Sequence, residues 1–282
     1  MIADTTIKRP ALRYYGGKWN LAPWIISHFP PHKNYVEPCG GAASVLLQKP
    51  RSPLETYNDL DGNVVNFFRV LRDRPDELIR KIRLTPFSRF EFEQSLCELN
   101  GVDQLERARL FWIRVSFAIN AGTSGNHAGM RFTTEDRPKA GEVLQREAIA
   151  KSLNSISARL MLVQIENRPL DYVVTTFGNE NTLIYFDPPY VTDSRNTPDV
   201  YEFEWSDDQH ILSAGLLREC AGYVVVSGYA CPLYTELYES HGWKRVDKEA
   251  QTNSGGKRIE SLWLSPRTVE ALNMPQQVAM PL

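Results

Sequence analysis

Short apolar runs that end on acidic, amide or small residues recur along the chain. Such runs are typical of buried parallel strands, and most of them alternate with amphipathic segments of helical spacing. The pattern predicts about seven strands. They begin near residues 34, 55, 162, 183, 223, 243 and 259. Alternating strands and helices indicate an α/β fold with a mainly parallel sheet.

The alternation stops between residues 75 and 159. Apolar residues at helical spacing predict one helix over residues 105–119 and another within 143–160, with Phe111 and Trp112 in the core. Between them, residues 120–137 are rich in Gly, Asn, Ser and Thr, which predicts a loop or hairpin. We therefore expect a discontinuous domain of residues 1–74 and 160–265, an insertion of residues 75–159 that selects the substrate, and a frayed tail of residues 266–282.

Composition narrows the class of protein. The chain has 282 residues, of which 42% are apolar and 23% charged, as in soluble proteins. It shows neither a run of transmembrane length nor a signal peptide, so we expect a cytoplasmic location. Its four cysteines lack metal-binding spacing, which favours reduced thiols and no metal site. The net charge of -2 gives no overall attraction to nucleic acid, so any DNA contact requires basic residues gathered on one face.

The run at residues 183–186 ends on Asp187-Pro188-Pro189-Tyr190. Two prolines prevent ladder pairing, so Asp187 lies at the carboxyl edge of the sheet, where α/β proteins bind ligands. The Asp187 carboxylate and the Pro188 carbonyl are two adjacent acceptors, which suit an amino group. Tyr190 offers a ring on which a planar heterocycle can stack. A rigid loop with an exposed acid is an equally good interpretation of this motif alone.

Two turns of small residues precede this motif. In residues 13–18, RYYGGK, a glycine pair allows close approach of a ligand and Lys18 adds a positive charge, although a solvated turn also fits. Residues 37–41, EPCGG, follow a strand and precede a predicted helix at residues 42–47, so a cofactor could lie against this turn. The glycine spacing is not a dinucleotide fingerprint, which argues against a nicotinamide oxidoreductase.

The second strand ends on two acids, Asp59 and Asp61. An acid at this point holds ribose hydroxyls in nucleoside-binding α/β proteins, which is the role expected for Asp59. Asp61 stands at the start of a predicted helix over residues 63–72 and is expected to cap it.

The order of these motifs resembles the DNA adenine-N6 methyltransferases of the Dam type, the D12 class or alpha group. The resemblance includes the aromatic-Gly-Gly-Lys turn, the Glu-Pro turn, the Asn-Asp strand end, the helical insertion and Asp-Pro-Pro-Tyr. It extends over residues 11–265, with residues 253–262 similar to the family's late polar loop and closing strand. Two positions depart from the usual family pattern, because Cys39 stands for phenylalanine and Ala43 for glycine.

The resemblance implies a Rossmann-like, seven-stranded, S-adenosylmethionine-dependent methyltransferase sheet with one reversed strand and a helical target-recognition insertion. It implies methyl transfer from S-adenosylmethionine to the N6 amino group of an adenine flipped out of double-stranded DNA, without a metal. The implied catalytic residues are Asp187, Pro188, Pro189 and Tyr190. The implied cofactor contacts are Tyr14, Gly17, Lys18, Glu37, Pro38, Cys39, Gly40, Gly41, Asp59 and Asp187. The implied DNA contact is Arg13. Because duplex binding needs clustered basic residues, we also expect DNA contacts from residues of the insertion and the late loop, namely Asn126, Arg131, Arg137, Lys257 and Arg258.

Other targets stay open at this point. The same chemistry could act on adenine in RNA, on cytosine N4 or on a protein glutamine, although in related enzymes the first acid of the catalytic motif favours adenine. A catalytically silent DNA-binding relative is a further alternative, but it is expected to lose Asp187 or Tyr190, and both are present. Residues 120–137 do not match the hairpin of GATC-specific members, so no target sequence is predicted. We expect a prokaryotic or phage protein, for which a restriction endonuclease is a candidate counterpart.

Overall fold

A seven-stranded sheet forms the centre of the computed structural model, which describes residues 7–97, 99, 101–119, 129–131, 140–191, 205–251 and 257–274, with backbone alone at 140–147, 251 and 257. The strands are β1 (Asn34–Glu37), β2 (Leu54–Asn58), β3 (Val163–Glu166), β4 (Thr182–Phe186), β5 (Tyr223–Gly228), β6 (Lys244–Gln251) and β7 (Lys257–Leu264). Their order is β3-β2-β1-β4-β5-β7-β6, and β7 is the one strand of this sheet that runs opposite to the other six. The predicted fold class is confirmed.

The order of the strands decides where a ligand can bind. From β1 the chain proceeds outward through β2 and β3, and then returns to place β4 on the other side of β1. The two central strands pair in parallel, with Val36 opposite Ile184. Open α/β sheets bind ligands at such a reversal of strand order, outside the carboxyl ends of the strands. The ends of β1 and β4 are therefore the expected position of the site.

Helices cover the sheet and build the insertion. They are α1 (Ala22–Ile26), α2 (Gly62–Asp73), α3 (Pro75–Leu84), α4 (Arg89–Leu96), α5 (Gln104–Phe117), α6 (Ala140–Leu160), α7 (Leu170–Phe177), α8 (Asp207–Arg218), α9 (Pro232–Leu237) and α10 (Pro266–Asn273). Helix α5 packs on α2 and α4 and buries Phe111 and Trp112, as predicted. None of the described helices is long and apolar enough to cross a membrane. The division into a catalytic domain and a recognition insertion stays a prediction.

Two sequence expectations are wrong. Residues 42–47 form turns, not a helix, because the Leu46 amide donates to the Glu37 side chain at 2.7 Å. A regular helix needs that amide for a carbonyl of the preceding turn. The chain after Pro266 does not fray at once, since residues 266–273 form α10, whose N-cap Ser265 accepts from the Thr268 amide. Thr268 is buried against Val224 of β5, which holds this helix on the sheet.

A buried ionic cluster joins β2 to the last turn of α6. Glu55 of β2 accepts hydrogen bonds from Lys49 at 2.7 Å and from two nitrogens of Arg159, which lies in the last turn of α6. All three side chains are buried. Arg159 also donates to the Leu46 carbonyl at 2.8 Å. Two cations therefore share a single carboxylate inside the protein, and the stability of this arrangement depends on Glu55.

Candidate active site

The carboxyl ends of β1, β2 and β4 surround one pocket. Ten of the expected site residues line it, namely Tyr14, Gly17, Lys18, Glu37, Cys39, Gly40, Gly41, Asp59, Asp187 and Pro189. The expected residues Pro38, Pro188 and Tyr190 do not line it directly, and all three are buried. Residues 14–18, 37–41 and 187–190 are distant in sequence, and the parallel strands bring them together. Their assigned roles stay predictions, but their convergence is a property of the structure.

The turn after β1 is shaped by its glycines. A Cβ atom added to Gly40 would lie 2.2 Å from the Tyr57 ring, so no larger residue fits without displacing that ring. Gly41 has φ of +47°, and Ala43 has φ of +54°, in the left-handed region that disfavours a side chain. Alanine at a position where the family usually has glycine therefore carries backbone strain of about 1 kcal/mol.

Two carboxyl groups, the buried Glu37 and the half-buried Asp59, hold this turn in place. Glu37 accepts from the Tyr35 hydroxyl at 2.6 Å as well as from Leu46. Asp59 accepts from the amides of Gly41 and Asp61, both at 2.8 Å. Both carboxyl groups also line the pocket. Asp61 caps α2 by accepting from the Asn63 amide, so its predicted role as a helix cap is confirmed.

Burial raises the pKa of Glu37 to about 8 and that of Asp59 to about 6. At pH values between the pKa of each carboxyl group in the unfolded chain and its higher pKa in the folded protein, the folded protein binds more protons than the unfolded chain. The free energy of unfolding therefore falls as pH rises, by up to about 1.4 kcal/mol per pH unit for each group. For Glu37 the interval runs from the ordinary pKa of 4.5 to about 8.

We expect the ligand-free protein to lose about 2 kcal/mol of stability between roughly pH 6 and 7.5, chiefly through Glu37. In Glu37→Gln this loss should largely disappear, since glutamine has no charge to bury. Urea unfolding across this range measures both proteins. Equal slopes in the wild type and the variant would contradict the assignment to Glu37.

Asp187 is held by contacts on a single oxygen. Its Oδ1 lies 3.0 Å from Lys18 Nζ and accepts from the Ser227 hydroxyl at 2.5 Å. Lys18 also donates to the Gly16 carbonyl at 2.8 Å, and Tyr185 donates to Ser227 at 3.1 Å. Burial lowers the pKa of Lys18, but the charges of Asp187 and Glu260 outweigh it and raise the pKa. Lys18 is therefore a buried cation next to the expected catalytic carboxylate.

The Tyr190 ring is buried and bounded on several sides. Lys18 Nζ lies 4.6 Å from the ring centre, a cation–π contact. The Tyr229 ring packs edge-on with centroids 4.6 Å apart. The Tyr190 hydroxyl donates to Glu260 Oε2 at 3.1 Å. These contacts fix both the position and the plane of the ring beside Asp187.

Sequence reasoning missed Ser227, Tyr229 and Glu260. They come from β5, from the residue after β5, and from β7, which lie in order beyond β4 in the sheet. A polar residue at the end of the apolar run 223–226 was the available signal for Ser227. Finding Tyr229 and Glu260 requires the strand order, which the motifs do not give.

Cys39 has its pKa raised well above the usual range by burial, so its thiol is a neutral part of the pocket lining.

The structure brings some of the expected DNA contacts close to backbone carbonyls. Arg13 donates to the carbonyls of Ala118 and Ile119 at 3.3 and 3.2 Å, and Arg131 donates to the Ser116 carbonyl at 2.6 Å. Arg258 donates to the Tyr229 hydroxyl at 2.9 Å. Asn126 and Arg137, together with the Lys257 side chain, lie outside the described residues.

Comparison with known proteins identifies the family. Residues 14–253 match the family described as D12 class N6 adenine-specific DNA methyltransferase. A type II methyltransferase of Lactococcus lactis subsp. cremoris is 26% identical over 275 residues, which covers 89% of this chain and 93% of that protein. A DNA adenine methylase of Vibrio cholerae serotype O1 is 32% identical over 78 residues, or 27% of each chain.

Among solved structures, an rRNA methyltransferase of Streptomyces viridochromogenes aligns over 95% of this chain and 93% of its own. The identity is 12% and the TM-score 0.43. The family match, in contrast, spans all the motifs that converge on the pocket, from Tyr14 to Tyr190. The chain therefore belongs to the D12 class of N6 adenine-specific DNA methyltransferases.

Proposed function

We propose that the pocket at the ends of β1 and β4 is the active site of this DNA adenine-N6 methyltransferase. The Asp187 carboxylate and the Pro188 carbonyl bind the target amino group there. The observation that carries the proposal is the position of Asp187. It lines the same pocket as the 14–18 and 37–41 turns, at the point where the strand order reverses. A cofactor on those turns and a base at Asp187 would be adjacent.

The residues present fit the methyl donor of the family, S-adenosylmethionine. The Ser44 hydroxyl lines the pocket and is buried with no hydrogen-bond partner among the described residues, so a polar ligand can satisfy it. Gly40 and Gly41 line the pocket with backbone, because a Cβ atom on either would meet the ring of Tyr57 or of Tyr14. The carboxyl groups of Glu37 and Asp59 complement an ammonium group and ribose hydroxyls. When bound, the cofactor supplies an electrophilic methyl group on sulfur.

The task of the protein is mainly to position and polarise the adenine amino group. Its lone pair is delocalised into the ring, which makes the nitrogen a weak nucleophile. Two acceptors on its hydrogens favour a pyramidal nitrogen whose lone pair points toward the methyl group. Lys18 and Ser227 both contact Oδ1 of Asp187, which orients the carboxylate so that Oδ2 can accept from the base.

The target base must leave the duplex to reach this pocket, because Asp187 is recessed at the sheet edge. Tyr190, a buried ring that Tyr229 and Glu260 hold in a fixed plane beside Asp187, is the proposed stacking partner of the base once the base has entered the pocket. Such stacking offsets part of the cost of unstacking, which is a few kcal/mol. A preset ring also loses little conformational entropy when the base arrives.

The target sequence and a restriction partner are finer proposals. The Lactococcus relative is a type II methyltransferase, which supports a restriction endonuclease counterpart for this enzyme.

Modification mapping by long-read sequencing of DNA from cells that express the protein tests the methyltransferase activity and gives the target sequence. We expect N6-methyladenine within one short sequence. Unmodified DNA, with folded protein present, would contradict the proposal, and nucleoside digestion would then separate RNA adenine from cytosine N4.

A further inference from the structure

A second groove lies between the N-terminal segment and the helical insertion. Its rim carries exposed basic side chains, and its floor is aromatic. The basic residues are Lys8, Arg9, Arg13 and Arg131, and the aromatic residues are Trp19, Phe87, Trp112 and Phe117. Among the residues that the structure describes, none that lines this groove is acidic. The protein has a net charge of -2, so the groove is a local exception to the overall charge.

Hydrogen bonds fix the N-terminal wall of the groove to the insertion. The Ser152 hydroxyl of α6 donates to the Arg9 carbonyl at 3.0 Å. Arg13 donates to the carbonyls of Ala118 and Ile119, just beyond the end of α5. On the floor, the rings of Phe87 and Phe117 pack with centroids 4.6 Å apart. The groove is therefore formed by backbone and ring contacts that leave Lys8 and Arg9 at its surface.

The groove is continuous in sequence with the active site. Arg13 and Trp19 line the groove, and the residues between them, 14–18, line the active-site pocket. A DNA strand that leaves the active-site pocket along this segment would meet the groove next. Phosphates attract lysine and arginine, while half-buried aromatic rings such as Trp19 and Phe87 suit the sugar and base faces of the same strand.

We propose that this groove binds the sugar–phosphate backbone of the DNA beside the flipped adenine, with Lys8 and Arg9 contacting phosphates. The inference rests on the proposed function, since it takes DNA as the substrate. It adds a binding surface formed by residues 8–9 and the floor residues Trp19 and Phe87. These residues lie outside the motifs that converge on the active-site pocket. Arg13 shapes the groove by holding the chain just beyond α5.

The test compares two double variants that lose the same charge. Lys8→Ala with Arg9→Ala removes two of the four basic side chains of the groove and keeps the Arg9 carbonyl that Ser152 binds. Lys33→Ala with Lys244→Ala is the control, since both lysines are exposed at the amino ends of β1 and β6, on the opposite edge of the sheet. Fluorescence anisotropy with a target duplex measures Kd over a range of salt concentrations.

We expect the groove variant to bind DNA about tenfold more weakly, with the slope of log K against log salt reduced by roughly 2, because two phosphate contacts are lost. Its kcat at saturating DNA should equal that of the wild type, since the active-site residues are unchanged. Equal Kd and salt slope in the groove and control variants, with wild-type methyl transfer intact, would overturn the groove proposal alone. Absence of methyl transfer in the wild type would instead overturn the proposed function.

Discussion

Replacing Asp187 with alanine is expected to lower kcat by at least roughly 10³-fold, which is the order of the rate loss when one group that stabilises a transition state is removed. The carboxylate is the charged acceptor for the target amino group in the proposed mechanism. The remaining acceptor, the Pro188 carbonyl, is neutral and can bind only one hydrogen well. Single-turnover assays with a target duplex and labelled methyl donor measure the loss. The affinity for the methyl donor should change little, because most of its proposed contacts come from β1 and β2.

The alanine variant also leaves the Lys18 ammonium without its closest carboxylate, so a folding defect must be separated from a catalytic one. Asp187→Asn keeps the shape of the side chain and is the matched variant. It should retain its thermal stability more fully than alanine does and still lose activity, because its amide nitrogen is a donor where an acceptor is needed. Substantial methyl transfer by a folded Asp187→Asn protein would refute the proposed role of the carboxylate.

A conservative change at Ser227 would disturb the orientation of the Asp187 carboxylate without removing the carboxylate that accepts from the target amino group, because the Ser227 hydroxyl donates to Asp187 Oδ1.

The position of Ser227 also shows where sequence reasoning reached its limit. Asp187 could be placed from the run 183–186 and the two prolines that follow it, since local chemistry ends the strand there. Ser227 becomes a partner of Asp187 only because β5 pairs with β4 in parallel, with Val226 opposite Phe186.

The same distinction explains the turn after β1. Its glycines predicted a close approach of backbone to ligand, and Gly40 and Gly41 do line the pocket. The helix expected at residues 42–47 does not form, because the buried Glu37 side chain takes the Leu46 amide and Arg159 takes the Leu46 carbonyl. Neither contact is visible in the local pattern of apolar and polar residues. Local propensity is overridden here by partners that the tertiary fold supplies.

The ionic cluster around Glu55 could not be predicted for a similar reason. Glu55 was expected as part of the second strand, and nothing in the pattern paired it with Arg159, which lies 104 residues away. The pairing depends on the tertiary fold, which places the last turn of α6 beside β2. Because Lys49 and Arg159 are both buried against Glu55, the stability of the fold should depend strongly on this one carboxylate.

Replacing Glu55 with glutamine is expected to lower the free energy of unfolding by about 3–5 kcal/mol, because it leaves two buried cations without a carboxylate. Lys49 and Arg159 would then repel one another inside the protein. Arg159→Met should cost less, since Glu55 keeps its contact with Lys49. Urea unfolding at neutral pH measures both changes, and a thermal scan should show a fall in Tm of roughly 10 °C for Glu55→Gln.

Asp73→Asn is the matched control, because Asp73 forms an ion pair with Arg72 at 2.6 Å on an exposed part of α2. Solvent screens such a pair, so its removal should change stability little. The expected order of destabilisation is Glu55→Gln, then Arg159→Met, then Asp73→Asn. If Glu55→Gln were no less stable than Asp73→Asn, Lys49 and Arg159 would have to be solvated or neutral. The cluster would then not stabilise the contact between α6 and β2 that its hydrogen bonds indicate.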